Sequence, residues 1–140
     1  MTAEYALRAM AVLARSPDAP LRNKDIADRC QVPERYLAVV LREQVSAGLV
    51  HSQRGRNGGY VLAQSPEDIP VGEVLRAAGF DPAARPCGFG WDACDEDQPC
   101  PLHPLYSELK GHVLRWSEDR TLADVGPDLP GLGGRGTPGD

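Results

Sequence analysis

Apolar residues recur at helical spacing from Thr2 to Arg15, where Tyr5, Met10, Leu13 and the intervening alanines fall together before Ser16-Pro17 closes the segment. A second, shorter helix is expected from Asn23, as its N-cap, to Cys30, with Ile26 and Ala27 inward and Lys24 and Asp28 outward. After the turn Gln31-Val32, Pro33 suits the first position of a third helix, with an apolar stripe of Tyr36, Leu37, Val40, Leu41 and Val45. Gly48 then marks its end. Two short extended runs follow, Leu49 to Gln53 and Gly59 to Leu62, around Arg54-Gly55-Arg56-Asn57-Gly58, whose Asn-Gly pair is a hairpin signal. Three helices and a basic hairpin predict a mainly α fold with a small β-hairpin wing, a winged helix-turn-helix.

Beyond the wing, Ser65-Pro66-Glu67-Asp68 leads through Pro70 into a short helix over Val71 to Ala78, and residues 79–99 read as a loop rich in Pro and Gly. After Cys100, the residues Leu102, Leu105, Leu109, Val113 and Trp116 repeat every three or four positions on one helical face. In so short a chain that stripe calls for cover by a second copy, through the same helix or helix one, in a two-fold homodimer. From Gly126 to Asp140 few apolar groups remain, and a disordered tail is expected. The organisation read from the pattern is therefore a DNA-binding winged unit at 1–64, a short helix and cysteine-bearing loop at 65–99, a dimerisation helix at 100–124 and a tail at 125–140.

A length of 140 residues suits one compact domain with appendages. No apolar run approaches a membrane span and no secretory pattern opens the chain, so a cytoplasmic, membrane-free protein is expected. The net charge of -5 hides an asymmetry. Residues 1–62 hold nine basic and six acidic residues (9 − 6 = +3), and residues 63–140 hold six and fourteen (6 − 14 = −8). A basic front fits a polyanion, and salt screens the acidic back beyond about 8–10 Å.

In a helix-turn-helix, the residues near the start of the second helix reach base edges in the major groove. Those positions hold Glu34, Arg35, Ala38 and Val39 here. Arg35 offers donors to guanine or phosphate, whereas Ala38 and Val39 offer apolar contact, as with a thymine methyl. Tyr36 and Arg42 on the same helix, and Arg54, Arg56 and Asn57 on the wing, complete the expected double-stranded DNA interface. Arginine on a glycine-flanked tip suits a narrow minor groove. No nucleophile-base pair, phosphate loop or paired carboxylates stand out, so no enzymatic activity is expected.

Cys87, Cys94, Cys100 and His103 read as C-x6-C-x5-C-x2-H on a loop running into a helix start. Thiolates ligate zinc and iron-sulfur clusters, and the long gaps leave room for a group wider than one ion. Structural zinc more often uses two tight cysteine pairs, which disfavours zinc here. A Cys94–Cys100 disulfide is a further oxidised alternative. Cys30 stands apart among apolar neighbours and reads as a buried small hydrophobe.

Taken together, the helix-turn-helix, the wing Arg54 to Tyr60 (RGRNGGY), the segment Val71-Gly72-Glu73-Val74 and the three-cysteine loop resemble the Rrf2 family of bacterial regulators over roughly residues 3–122. The resemblance implies a homodimer on a dyad-symmetric operator, with one iron-sulfur cluster per subunit sensing redox state, nitric oxide or iron-sulfur supply. By position, Cys87, Cys94 and Cys100 match the three cysteine ligands, and His103 matches the histidine of the IscR-like branch. In the NsrR-like branch a carboxylate near the start of helix one reaches across from the other subunit, and Glu4 occupies that place. A two-iron, two-sulfur cluster is favoured, with a four-iron, four-sulfur cluster as the second option. A cluster-free regulator dependent on zinc or thiol redox chemistry is the competing reading. The chain departs from the family pattern in its six-residue first gap and in Ala38, which stands where IscR-like proteins can carry a specificity-modulating glutamate. No operator sequence is therefore transferred.

Overall fold

The structure is a computed structural model that describes residues 2–81, 97–98 and 101–125. Its order is α1 (Thr2–Ala14), α2 (Asn23–Cys30), α3 (Glu34–Ser46), β1 (Val50–Gln53), β2 (Gly59–Leu62), a 3-10 turn (Pro66–Asp68), α4 (Val71–Ala77), α5 (His103–Asp119) and α6 (Leu122–Val125). The expected three helices plus hairpin are present in the expected order.

Helix α1 is the centre of the molecule. Ala6, Ala9, Met10, Ala11, Val12, Leu13 and Ala14 are all buried, because α2, α3, α4, α6 and β2 pack around it. Its alanines matter for that role, since small side chains let several neighbours approach one helix at once. Ile26, Ala27 and Cys30 from α2, Leu37, Val40 and Leu41 from α3, and Val74 from α4 complete the core with Leu49, Val50, Leu62, Ile69 and Leu122. Cys30 is 2% exposed there, and its desolvated thiol is pushed above its ordinary range, holding it neutral.

Local chemistry explains the boundaries. Gln31 ends α2 in the left-handed region at φ 57°, and Gly48 does so after α3 at φ 79°, as its place in the sequence implied. Asn23 is the first residue of α2, not its cap. Its amide instead donates through Nδ2 to the Glu34 carbonyl at 3.3 Å, joining the starts of α2 and α3. Pro33 likewise sits one position earlier than expected, as the N-cap of α3.

The segment expected as one helix to residue 124 is divided. Arg120 is extended, Pro70 and Thr121 form an isolated antiparallel bridge, and α6 begins at Leu122. The Asp124 carboxylate accepts from Thr121 N at 2.9 Å and from Thr121 Oγ1 at 3.3 Å, holding the first turn of α6. Leu122, fully buried, then plugs the core beneath α1.

Candidate nucleic-acid interface

Helix α3 buries Leu37, Val40, Leu41 and Gln44, which fixes the opposite side outward. Arg35, Val39 and Arg42 recur there at four- and three-residue steps and are exposed, and Ala38, between them, is half-buried. Val39 is 44% and Tyr36 47% exposed. Large apolar groups left in solvent on a helix that has a core to bury them in mark a contact surface.

Arg35 is not a loose cation. Its Cζ lies 4.7 Å from the Tyr36 ring centre, and its Nη2 donates to the Tyr36 hydroxyl at 3.1 Å. The Tyr36 ring in turn meets Tyr5 of α1, with centroids 6.4 Å apart and planes tilted by 40°, and Arg8 lies 5.9 Å from the Tyr5 ring centre. Arginine, tyrosine, tyrosine and arginine thus form one ladder from the first two turns of α1 to the first turn of α3. Each such exposed contact is worth about 0.5–1 kcal/mol, enough to bias a rotamer and so to present Arg35 partly pre-organised. The contribution of Tyr5 and Arg8 was invisible in the sequence, because Tyr5 and Tyr36 come together only when α1 and α3 pack.

The wing is an antiparallel ribbon in which Val50 faces Leu62 and Gln53 faces Gly59. Its turn differs from the one expected. Gly58 N donates to Gly55 O at 3.0 Å, so Arg56 and Asn57 occupy the centre of the turn, and the left-handed positions are Gly55 and Gly59. Glycine is required twice for closeness as well as angle. A Cβ on Gly58 would collide with the Gln53 carbonyl, and one on Gly59 would lie 2.5 Å from the Leu21 carbonyl oxygen. Leu21 and Tyr60 exchange two backbone hydrogen bonds at 2.9 and 2.7 Å, giving the ribbon a short third edge. Arg54, Arg56 and Asn57 are exposed, and among the described residues neither arginine has a carboxylate partner. Arg22, unremarked in the sequence, donates through Nη2 to the Arg56 carbonyl at 2.6 Å.

Cys87, Cys94 and Cys100 lie outside the described residues. His103 opens α5, half-buried, with Nε2 3.4 Å from Ser107 Oγ one turn on. Glu4 is exposed in the first turn of α1. Among the described residues no three His, Cys, Asp or Glu side chains gather into a metal-holding group. The donor set as a whole suits soft metal chemistry. Cys30 is sealed in the core, leaving three sulfurs close in sequence to an imidazole fixed at a helix start.

Helix α5 carries the apolar stripe as expected, and much of it is bare in the single chain: Leu105 is 65%, Leu109 60% and Trp116 44% exposed. Only Ser117 of its residues is buried. That serine meets Gly72 of α4, where an added Cβ would come within 3.1 Å of the Ser117 carbonyl oxygen. No helix among the described residues is long and apolar enough to cross a membrane.

Comparison with known proteins gives a consistent result. The family described as Rrf2, iron-dependent transcriptional regulator, matches residues 1–128. The HTH-type transcriptional regulator IscR of Vibrio atlanticus is 33% identical over 125 residues, spanning 89% of this chain and 72% of that protein. Among solved structures, CymR, the global cysteine regulator of B. subtilis, superposes with a TM-score of 0.75 at 29% identity over 89% of this chain and 92% of its own. IscR of T. potens gives a TM-score of 0.70 at 30% identity, covering 89% and 82%.

Proposed function

The chain belongs to the Rrf2 family of transcriptional regulators, and on that premise we propose that it acts as a homodimer whose grip on DNA is set by an iron-sulfur cluster held by Cys87, Cys94 and Cys100. Its family makes it a DNA-binding regulator and not an enzyme. The finer reading is that Arg35, Tyr36, Ala38, Val39 and Arg42 enter the major groove while Arg54, Arg56 and Asn57 follow the phosphate edge or the minor groove of a dyad-symmetric operator. The observation that carries it is the pairing of an exposed apolar-and-basic stripe on α3 with wing guanidinium groups that lack acid partners among the described residues.

His103 takes the fourth ligand place, with Glu4 of the partner subunit as the rival. Three thiolates and one imidazole are a donor set that a two-iron cluster accepts. When bound, such a cluster supplies a centre sensitive to oxidation and to nitric oxide. The family description, iron-dependent, supports this assignment. The apolar side chains of Leu105, Leu109 and Trp116 support a two-fold partner along α5, since three large groups so exposed along one helix are costly in a monomer.

The chain's own packing supplies a route from the cysteine loop to DNA. The loop ends at the start of α5, and α5 lies against α4 through the Gly72–Ser117 approach. Val71 N donates to Arg120 O at 2.8 Å and Leu122 N to Ile69 O at 3.0 Å, joining the segment between α5 and α6 to the segment that enters α4. Helix α4 reaches the recognition helix through Gln44 Nε2, which donates to the Val74 carbonyl at 3.1 Å. Loss of a ligand bond at His103 would release the start of α5, and the α5–α4–α3 contacts would give that change a path to the recognition helix.

The test is chemical analysis of protein purified without air, followed by duplex binding before and after metal removal. Iron and acid-labile sulfide with visible absorbance, and an affinity that changes on removal, are expected. Colourless protein that holds zinc and binds DNA at unchanged strength would instead favour the zinc or thiol-based alternative.

A further inference from the structure

We propose that Arg22, the residue preceding α2, is a phosphate-contacting member of the DNA interface that also fixes the wing tip; the inference rests on the DNA-binding reading above. Its guanidinium reaches across the chain to the Arg56 carbonyl at 2.6 Å. Directly beside it, Leu21 and Tyr60 exchange backbone hydrogen bonds at 2.9 and 2.7 Å, and Gly59 leaves no room for a side chain against the Leu21 carbonyl. The wing is therefore locked to the segment entering α2 at Gly59 and Tyr60, just below the turn, and Arg22 ties its tip.

That tie has a physical consequence for charge. It holds the Arg22 cation at the backbone of Arg56, two residues from Arg54, and among the described residues none of the three has a carboxylate partner. Holding like charges together is unfavourable in the free protein. A carbonyl takes one of the five N–H donors of a guanidinium and leaves its charge uncompensated. The ligand that suits three such cations around the wing turn is a polyanion with regularly spaced charges, and the backbone phosphodiesters of the duplex supply it. Arg22 would then meet phosphate on the strand edge next to the groove that the wing enters, steadying Arg54 and Arg56 without reading any base.

Because phosphate contacts carry no sequence information, a labelled duplex of mixed sequence is a sufficient probe, titrated over a series of salt concentrations. Arg22→Gln keeps a polar N–H side chain and removes the charge. Affinity is expected to fall several-fold, and the slope of log affinity against log salt to shrink by about 1. Arg22→Lys should restore the slope. Unchanged affinity and slope in Arg22→Gln, or weaker binding at an unchanged slope, would each overturn the phosphate contact. Failure of the unaltered protein to bind duplex at all would count against the DNA-binding reading instead, so the two failures are distinguishable. Arg22 is exposed, so a matching melting temperature for both variants is expected.

Discussion

Helices α1 and α5 are built on opposite plans. Helix α1 has seven of its thirteen residues buried, and neighbours surround it, so it forms the axis of the core. Helix α5 is longer, at seventeen residues or about 25 Å, yet buries only a serine and leaves Leu105, Leu109 and Trp116 in solvent. The apolar groups around α1 are thus covered within the chain, with Ile69, Val74 and Leu122 completing the core of the winged unit, while α5 leaves its large apolar side chains in solvent. The unit around α1 is held by packing on every side, whereas α5, which follows the cysteine-bearing segment, touches the rest of the chain mainly through α4.

The largest effect that would sharpen this division is on the loop. Cys94→Ala should abolish the visible absorbance and labile sulfide of protein reconstituted without air, while the far-ultraviolet dichroism of the winged unit stays as it was. A full chromophore in that variant would remove the ligand assignment. Next in size, leucines on the two plans should behave differently. Leu41→Ala, at a fully buried position, should cost about 2–5 kcal/mol in urea unfolding. Leu109→Asp, at a 60% exposed position, should change monomer unfolding by less than about 0.5 kcal/mol but abolish the proposed self-association in sedimentation. Equal losses of stability in the two variants at high dilution would break the contrast.

The winged unit was largely legible because its signals are local. Helical periodicity, Gly48 at a helix end and a glycine-rich basic turn each act within a few residues, and they agree with one another. Legibility failed where a side chain works across the fold. Asn23 was read as a cap and instead ties α2 to α3, and Arg22 gained meaning only from a carbonyl 34 residues away. The Asn57-Gly58 pair pointed to the correct hairpin, but the closure onto Leu21 and the five-residue loop shifted the left-handed positions to Gly55 and Gly59. Thr121 to Asp124 carries a readable helix-start signal, yet the apolar stripe running into it made one helix the simpler reading. The cysteine spacing pointed to metal chemistry, and Cys87, Cys94 and Cys100 lie outside the described residues.

Gln44 offers the smallest and most discriminating test of how the two halves communicate. It is fully buried, its Nε2 donates to the Val74 carbonyl, and its Oε1 has no hydrogen-bond partner. That carbonyl already accepts from Ala78 N at 3.2 Å, so removing the glutamine amide leaves no new unpaired group in α4. Leucine has nearly the same volume and removes the orphaned oxygen, whose burial costs about 1–3 kcal/mol. Gln44→Leu should therefore leave stability unchanged or raise it by about 1 kcal/mol in urea unfolding. The same variant severs a polar tie between the recognition helix and the element that α5 leans on. Duplex affinity of the metal-loaded form should stay close to that of the parent, while the change in affinity on metal removal shrinks. A variant that is more stable but responds to metal removal as strongly as the parent would show that α3 follows α4 through apolar packing alone, with the buried amide carrying none of the coupling.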